Sequence, residues 1–395
     1  MTQLPHVILQ KDQHRRILAG HDWIYSNEID NQKSRLKSFE PGSPVDFVSQ
    51  HGKWLARGYL NPHSLIAGRV MSRNHDEAID TIFFTRRVEA ALALRSGLFT
   101  TPFYRLIYGE SDGLPGLVVD RFNDVLVMQV GTAGMERLVD TLVEILVQVT
   151  GARAIVLRND TGGRELEGLA SEVRTVHGPE TEQVDLQEGG LTFSIPVATG
   201  QKTGWFFDQA DNRRGLQRYL RGGRVLDVFT YLGAWGLRAA KSGAKDVVCV
   251  DASASALGGV TENAQRNGLS QVRTEQGDAF DVLDTLMAAG ERFQTVIVDP
   301  PAFIKRRKDE KTGAAAYERI NAAALRLIEP GGTLVTASCS HHLHRDEFVR
   351  LVQRAARRTE RSLRLLEQGG QGPDHPIQPA MPETEYLKAL YFAVG

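Results

Sequence analysis

The chain contains no unbroken apolar run of the roughly 18 to 20 residues that a membrane-spanning helix needs. Its longest apolar runs, such as Val296-Ile297-Val298, have the length of a strand. The stretch from Met1 to Gln10 lacks the basic and then apolar pattern of a secretory signal. We therefore expect a protein with no membrane segment that works in the cytoplasm.

Cysteine is also scarce, with 2 among 395 residues. This number excludes a disulfide framework and a four-cysteine zinc site, and it fits a reducing, cytoplasmic setting. Cys249 lies within the apolar segment Val247–Val250, which predicts a small buried residue. Cys339 is followed by His341, His342 and His344, but the spacing matches no zinc motif. We predict no metal site.

The chain has no overall excess of positive charge, because 47 Lys and Arg oppose 48 Asp and Glu, for a net charge of −1. A nucleic-acid partner is still possible, since it needs only a local basic patch. The basic residues form three clusters, which are Lys11 with His14, Arg15 and Arg16; Lys305–Lys308; and Arg350, Arg354, Arg358 and Arg361. Each cluster could be a solvated face. Three of them together favour an anionic ligand.

The distribution of turn signals predicts three domains. Residues 1–74 read as short β segments separated by turns, which is typical of a small β-rich barrel. Residues 75–185 combine a helix from Asp80 to Ser96, strands, and an apolar helix from Met135 to Val149, so an α+β module is expected. The polar stretch from Arg174 to Gly190 is predicted to be a connection with its own hairpin.

Residues 186–395 predict an α/β domain. From Arg224 onward, short apolar strands alternate with helices, and this alternation is typical of a mostly parallel, doubly wound, Rossmann-like sheet. Ligands bind such sheets at the carboxyl ends of the strands.

Three acidic residues follow consecutive predicted strands of this sheet. Asp227 lies in the glycine-containing segment from Val225 to Gly236, Asp251 ends the second strand, and Asp278 follows the third. A carboxylate after the second strand can accept both ribose hydroxyls of a nucleoside, and no pyrophosphate fingerprint accompanies it. The three positions together resemble class I S-adenosylmethionine-dependent methyltransferases. The plainer alternative is that each Asp caps a helix.

The fourth strand runs into Asp299-Pro300-Pro301-Ala302-Phe303, and the fifth ends at Cys339. In class I methyltransferases an acidic residue followed by Pro-Pro and an aromatic lies beside the donor methyl. Cytosine C5 is too weak a nucleophile to attack a methyl sulfonium directly, and a thiolate that adds to C6 makes C5 enamine-like. Cys339 is therefore the predicted nucleophile.

With these residues placed, the chain resembles the bacterial 23S ribosomal RNA 5-methylcytosine methyltransferases with an N-terminal PUA domain. The resemblance covers essentially the whole chain. Its segments are Gly20–Tyr25, Gly109–Leu117, Lys202–Arg213, Asp299–Phe303, Ser338–Ser340, Asp374–Pro376 and Glu385–Lys388.

The resemblance implies that S-adenosylmethionine is the methyl donor, that the PUA domain binds structured RNA, and that the protein is a homodimer. It implies Cys339 as the catalytic nucleophile, and we predict Asp299 as a second catalytic residue. The positions expected to bind the cofactor are Lys202, Asp208, Gln209, Arg213, Asp227, Phe229, Thr230, Gly233, Asp251, Ala252, Asp278, Ala279 and Asp299. Those expected to bind RNA are Arg15, Arg16, Trp23, Lys305, Arg306 and Arg307.

One position departs from other 5-methylcytosine RNA enzymes. Those enzymes have Pro-Cys in the fourth-strand loop, and the second cysteine helps to release the product. Pro301 stands there in this chain. The group that removes the C5 proton is therefore not assigned by the pattern, and Asp299 or a water molecule is our hypothesis.

Two other functions are compatible with parts of the pattern. The Asp-Pro-Pro-Ala-Phe loop also resembles that of RNA guanine-N2 or adenine-N6 methyltransferases, which attack with the lone pair of the amine and need no thiol. The second alternative is a non-catalytic RNA-binding assembly factor that keeps the fold. Cys339 argues against the first, and an intact cofactor pocket argues against the second.

Overall fold

The computed structural model describes residues 4–395, and it divides them into two compact units. The first unit contains residues up to Val184 together with Ile195–Phe207 and Pro373–Thr384. The second contains Asp185–Ser194, Asp208–Gly372 and Glu385–Gly395. The first two predicted domains thus belong to one compact unit, in which each has its own sheet.

A five-stranded sheet forms the amino-terminal part of the first unit, in the order β1-β3-β4-β5-β2. Its elements are β1 (His6–Ile8), α1 (His14–Leu18), β2 (Trp23–Ile24), β3 (Ser43–Val48), β4 (Trp54–Leu60) and β5 (Gly68–Ser72). Alternate residues of these strands, such as Val45 and Phe47, are fully buried. The predicted β-rich unit is confirmed, and it also contains the short helix α1.

A second five-stranded sheet, ordered β10-β9-β8-β7-β6, completes the first unit. Its elements are α2 (Thr81–Leu98), β6 (Phe103–Tyr108), β7 (Leu117–Phe122), β8 (Val125–Val130), α3 (Ala133–Glu136), α4 (Val139–Thr150), β9 (Ala154–Asn159) and β10 (Glu172–His177). Asp80 caps α2 by accepting a hydrogen bond from Phe83 N. The predicted helix from Met135 to Val149 is divided in two, because Leu138 leaves the helical conformation.

The predicted connection from Arg174 to Gly190 is only partly a connection. Its first residues belong to β10, which pairs with β9. The expected hairpin follows, formed by β11 (Gln183–Glu188) and β12 (Leu191–Pro196).

The second unit is built on a seven-stranded sheet with the order β15-β14-β13-β16-β17-β19-β18. Its elements are α5 (Ala210–Leu216), β13 (Arg224–Val228), α6 (Ala234–Lys241), β14 (Asp246–Asp251), α7 (Ala254–Arg266), β15 (Val272–Gln276), α8 (Ala279–Ala288), β16 (Phe293–Val298), α9 (Glu310–Leu327), β17 (Ile328–Ser338), α10 (Arg345–Arg358), β18 (Leu363–Gly369) and β19 (Lys388–Val394). The first five strands are parallel, and β19 is antiparallel to β17 and β18. The predicted mostly parallel sheet is confirmed.

The order of this sheet determines which strand ends lie side by side. The chain leaves β13 at the centre and fills one side with β14 and β15, and then the other with β16 and β17. The direction of winding reverses between β13 and β16, which is where such sheets bind ligands. Asp227, Asp251, Asp299 and Cys339 all lie at or directly after the carboxyl ends of these strands.

No helix within residues 4–395 is long and apolar enough to cross a membrane.

Candidate active site

The loop after β13 is braced by Asp227, whose side chain is fully buried. Its Oδ2 accepts hydrogen bonds from Gly236 N at 2.9 Å and from the Thr230 hydroxyl. Its Oδ1 accepts no hydrogen bond from any residue in the described part of the chain. Burial raises the pKa of Asp227 to about 7, against the effect of these two bonds. A buried oxygen in this state can be satisfied by a polar group of a bound ligand.

The same loop carries three residues in the left-handed region of backbone space. They are Phe229 with φ 66°, Tyr231 with φ 52° and Gly233 with φ 85°. Only glycine adopts this region without a steric cost, so Phe229 and Tyr231 are held there by their surroundings. Phe229 N and Thr230 N both donate to Val250 O at 3.0 Å, and this ties the loop to β14.

Asp251, at the end of β14, has a half-buried carboxylate that the backbone holds in place. Its Oδ2 accepts from Tyr231 N at 3.0 Å, and its Oδ1 accepts from Ser253 N at 2.9 Å. Each oxygen keeps a second lone pair for further donors. Ala252, the next residue, is exposed. The carboxylate is therefore fixed and still able to receive hydroxyl groups.

Asp278 is exposed and caps α8, because its Oδ1 accepts from Phe280 N at 2.9 Å. The alternative that the Asp caps a helix is therefore correct for the contact that Asp278 makes. Ala279 follows it as the first, buried residue of α8. Capping uses one carboxylate oxygen, so it is compatible with ligand binding by the other.

Asp208 and Arg213 are both buried and both engaged within the second unit. The Tyr386 hydroxyl donates to Asp208 Oδ2. Arg213 forms a bidentate pair with Glu188, from Nε to Oε1 at 2.7 Å and from Nη2 to Oε2 at 2.5 Å. Burial lowers the pKa of Arg213, but the charge and hydrogen bond of Glu188, together with the charges of Asp208 and Asp299, outweigh it and the net shift is upward. This ion pair, rather than a solvent-facing cation, is the environment of Arg213.

Asp299 directly follows β16, and neighbouring side chains hold its carboxylate from two directions. Gln209 Nε2 lies 3.0 Å from both Oδ1 and Oδ2, and Trp235 Nε1 donates to Oδ2 at 3.0 Å. Asn212 Nδ2 in turn donates to Gln209 Oε1 at 2.6 Å, which fixes the amide so that its nitrogen faces the carboxylate. These donors hold the carboxylate of Asp299 in one orientation.

Cys339 lies directly after β17 and is half-buried. The next residue, Ser340, is fully buried, and its Oγ contacts Ile304 N at 3.1 Å and the Tyr317 hydroxyl at 2.9 Å. Ile304 immediately follows the Asp299–Phe303 loop, so Ser340 joins the two loops that carry the predicted catalytic residues. Tyr317 adds an anchor from α9.

Lys388 begins β19 next to the same strand end. It pairs with Ser338 in the antiparallel register, and its side chain is 5% exposed. Its Nζ donates to Ser340 O at 2.6 Å and to Tyr386 O at 2.7 Å. Burial lowers the pKa of Lys388 to about 8, while the neighbouring Cys339 acts in the opposite direction.

Cys249 has the buried position that its sequence context predicts. It is fully buried in β14, and a Cβ built on Gly236 would come within 2.5 Å of its Sγ. Burial raises the pKa of the Cys249 thiol well above its usual value. Such a thiol is inert packing, in contrast to Cys339.

Lys202 belongs to the first unit, where it is exposed and has φ 51°. Its Nζ lies 4.3 Å from the centre of the Phe206 ring, a cation–π distance. The Thr203 hydroxyl donates to the buried Asp120, which is itself paired with Arg105.

The predicted RNA contacts near the amino terminus differ in accessibility. Arg15 is exposed and pairs with Asp12 at 3.0 Å. Arg16 is half-buried, and its Nη2 donates to Trp23 O at 2.9 Å. The Trp23 indole donates to Glu110 Oε1 at 2.7 Å. Trp23 and Arg16 therefore make internal contacts with part of their polar surface, and Arg15 offers the most accessible charge.

The two remaining basic clusters also differ. Lys305, Arg306 and Arg307 are exposed, although Arg306 and Arg307 pair locally with Asp309 and Glu310. Three arginines of the third cluster also contact the protein itself. Arg354 and Arg358 of α10 both lie 2.9 Å from the carboxylate of Glu318 on α9, and Arg361, which follows α10, donates to Ile328 O. Part of the charge of this cluster is therefore already balanced within the protein.

The sequence pattern predicts no role for several residues of the site. Trp235 and Asn212 orient Asp299, Tyr317 anchors Ser340, and Lys388 lies beside Cys339. Trp235 and Lys388 belong to sequence segments with a predicted function. The local sequence does not indicate which distant side chain each of them contacts. Within the described range, no group of three or more His, Cys, Asp or Glu side chains is placed to hold a metal ion.

The residues at these strand ends fit an adenosyl ligand. Asp251 presents a fixed, half-exposed carboxylate for ribose hydroxyls, and Asp227 has a buried oxygen that lacks a partner among the described residues. The backbone of the Phe229–Gly233 loop passes between them with three left-handed residues.

Comparison with known proteins leads to the same class of ligand. The family described as an S-adenosylmethionine-dependent methyltransferase matches residues 112–393, and the family described as a PUA-like domain matches residues 7–73. A solved structure described as a S-adenosylmethionine-dependent methyltransferase from Streptococcus mutans superposes with a TM-score of 0.83 at 17% identity, covering 99% of this chain and 100% of its own. This likeness shows the fold.

Two curated relatives match nearly the full length. Both are named ribosomal RNA large subunit methyltransferase I. The protein from Tolumonas auensis is 39% identical over 391 residues, with 97% of this chain and 98% of the relative covered. The protein from Shewanella denitrificans is 38% identical over 388 residues, with 97% of each covered. The chain therefore belongs to the S-adenosylmethionine-dependent methyltransferases, in the family of the ribosomal RNA large subunit methyltransferases I.

Proposed function

We propose that this protein methylates C5 of a cytosine in the 23S RNA of the large ribosomal subunit, through a covalent bond between Cys339 and C6. The observation that carries the proposal is the position of Cys339. It is half-buried at the end of β17, and its neighbour Ser340 is hydrogen-bonded to the residue that follows the Asp299–Phe303 loop. The relatives named above support ribosomal RNA as the substrate.

The first steps use the thiol and the pyrimidine. The Cys339 sulfur adds its electron pair to C6, and the electrons of the C5–C6 double bond shift so that C5 becomes the nucleophilic carbon of an enamine across C4 and C5. S-adenosylmethionine, when bound, would supply a methyl group on a positively charged sulfur. C5 would take that methyl as the methyl–sulfur bond breaks and leaves a neutral thioether, and loss of the C5 proton would then break the bond from Cys339 to C6, expel the thiolate and restore the C5–C6 double bond.

Asp299 is placed to act on the reacting base. Gln209 and Trp235 fix the orientation of its carboxylate, which can accept a hydrogen bond from the exocyclic amine of cytosine. The same carboxylate is our candidate acceptor for the C5 proton, directly or through a water molecule. The half-buried environment strengthens both interactions relative to water.

The cofactor is proposed to lie along the strand ends from β15 to β16. Asp251 would hold the ribose hydroxyls, Asp278 with Ala279 would contact the adenine, and the Phe229–Gly233 loop with Ala252 would line the site. The buried side chains of Asp208, Gln209 and Arg213 would border the cofactor site. Lys202, from a different segment, would also contribute a contact to the cofactor. Asp227 and Thr230 would stabilise the Phe229–Gly233 loop at the cofactor site through their hydrogen bond.

RNA binding is assigned to residues 1–74 and to the exposed loop after Phe303. Residues 75–185 would form the α+β module, and residues 186–395 would form the methyltransferase domain. Arg15, Arg16, Trp23, Lys305, Arg306 and Arg307 are the proposed contacts. A cytoplasmic location follows from the ribosomal substrate, and a homodimer rests on the family resemblance.

Bisulfite sequencing of ribosomal RNA tests the proposal. RNA from a strain that lacks this gene should contain one cytosine that is converted by bisulfite and is protected in the parent. Return of the wild-type gene should restore protection, and return of a Cys339→Ser variant should not. A loss of guanine-N2 or adenine-N6 methylation instead, with unchanged bisulfite patterns, would replace this proposal by an amino-group methyltransferase.

A further inference from the structure

We propose that Lys388 is a positioning residue whose ammonium group holds Cys339 as the thiolate that attacks the base. The inference rests on the proposed function, and it names the source of nucleophile activation. An unperturbed cysteine is mostly protonated at neutral pH, so a thiol that attacks C6 needs a nearby group that favours the anion.

The placement of Lys388 is set by the sheet. β19 runs antiparallel to β17, and the register places Lys388 opposite Ser338, the residue before Cys339. The side chain is almost completely buried, and Nζ is held by Ser340 O at 2.6 Å and by Tyr386 O at 2.7 Å. These carbonyls belong to the residue after Cys339 and to the segment that leads into β19. These two backbone carbonyls thus hold the ammonium at the strand end that carries Cys339.

The energetics favour an ion pair at this position. An ammonium has three donors, and the two carbonyls use two of them. A buried cation is costly unless an opposite charge is near, and burial accordingly lowers the pKa of Lys388. Cys339 acts against that shift, which means that the thiolate stabilises the ammonium. The same interaction stabilises the thiolate to an equal extent.

The other charged and titratable groups around the pair come from α9, α10, the loop after β17 and the segment before β19. Arg345 of α10 disfavours the ammonium, Glu385 favours it, and these two lie 3.6 Å apart as an ion pair. Tyr317 of α9 faces Ser340 and Cys339, and its pKa is raised by burial and, as a lesser cause, by Cys339. His341 and His342 follow Cys339, and their rings contact each other with centres 5.5 Å apart. Lys388 is the buried cation of this group.

The chemical step is a simple ionisation. The S–H bond of Cys339 breaks, the proton goes to solvent, and the electron pair stays on sulfur beside the ammonium of Lys388. Methylation later releases the same thiolate, so the pair is restored at the end of each cycle and needs no other reactant.

The rate of alkylation of Cys339 by iodoacetamide, measured from pH 5 to 10 without RNA, tests the inference. A Cys249→Ala background leaves Cys339 as the sole thiol in the chain. We expect the midpoint of the wild-type pH profile to lie below the ordinary value near ~8.5. In Lys388→Met the midpoint should rise by roughly 1 unit or more, with about a ten-fold slower reaction at pH 7. Lys388→Arg should restore the low midpoint, and the exposed control Lys241→Met should leave it unchanged.

Two results would overturn the inference. One is a wild-type midpoint at or above the midpoint of the urea-unfolded chain, which can be measured even if the Lys388 variants do not fold. The other is a Lys388→Met profile identical to wild type. Because alkylation requires neither RNA nor cofactor, a failure of the proposed function, seen as methylation by Cys339→Ser, is distinguishable from a failure of the ion pair.

Discussion

Gln209 Nε2 lies 3.0 Å from each carboxylate oxygen of Asp299, although 90 residues separate the two in the chain. The contact joins the segment before α5 to the loop after β16. Asn212 fixes the amide of Gln209, and Trp235 also donates to the carboxylate. These three side chains therefore help to set the orientation of Asp299.

Gln209→Leu should reduce the methylation rate. The change removes a hydrogen bond to a charged group, worth about 1.5–3 kcal/mol, and keeps the hydrogen bond from Trp235 to Asp299. A decrease in kcat of about ten- to a hundred-fold is expected. Single-turnover kinetics measure it, and the exposed Gln217→Leu serves as a matched control. An unchanged kcat would show that the orientation of Asp299 does not matter for the reaction.

Asp251→Asn should weaken the binding of S-adenosylmethionine by about 1.5–3 kcal/mol, the scale of hydrogen bonds to a charged group. Asparagine keeps one acceptor oxygen for the Tyr231 or Ser253 amide, so unfolding should change much less than binding. Isothermal titration calorimetry and thermal unfolding provide the two measurements. Asp284→Asn, on the exposed side of α8, is the control. Equal affinity in variant and wild type would remove Asp251 from the cofactor site.

Neutralising Arg306 and Arg307 together should weaken RNA binding and reduce its dependence on salt. Each phosphate contact that is lost should lower the slope of log K against log salt by about one unit. The local pairs with Asp309 and Glu310 are solvent-exposed and do not prevent phosphate contacts. Arg354→Gln is the comparison, because Glu318 already engages that side chain. If both proteins show the wild-type slope, the loop is only a solvated surface.

Cys339 should form a covalent adduct with RNA that carries 5-fluorocytosine at the target position. Fluorine cannot leave C5 as a proton does, so the bond from sulfur to C6 persists. Cys339→Ser should lose both the adduct and methylation while it still binds S-adenosylmethionine. Cys249→Ser should lose neither, since that thiol is buried in β14. Denaturing gel electrophoresis detects the adduct, and methylation by Cys339→Ser at a near wild-type rate would contradict a thiol mechanism.

The stability of the protein should rise between about pH 8 and pH 10.5 through Lys388. Its pKa in the folded state is about 8, below the ordinary value of 10.5, because burial disfavours the charge. Over this interval the unfolded chain binds more protons than the folded one, so the free energy of unfolding increases with pH. The contribution is at most about 3 kcal/mol. Urea unfolding of Lys388→Met should show a smaller increase, and parallel curves for the two proteins would contradict the assignment.

The sequence determined the fold of the second unit and the edge of its sheet at which the predicted catalytic residues lie. Apolar strands that alternate with helices can bury both faces only in a parallel sheet, and this rule brings Asp227, Asp251, Asp299 and Cys339 to one edge. The two cysteines were also distinguished by local context, because one lies within an apolar strand and the other after one.

Only the tertiary structure decided what those residues contact. Arg213 pairs with Glu188, Trp23 donates to Glu110, and Arg354 and Arg358 share Glu318. Lys388 lies at the strand end that carries Cys339 because of the antiparallel register of β19 with β17. A basic or aromatic residue has the same local pattern whether it faces solvent, RNA or a buried carboxylate. Its partner comes from a distant part of the chain, and long-range packing selects that partner because a buried charge must be paired.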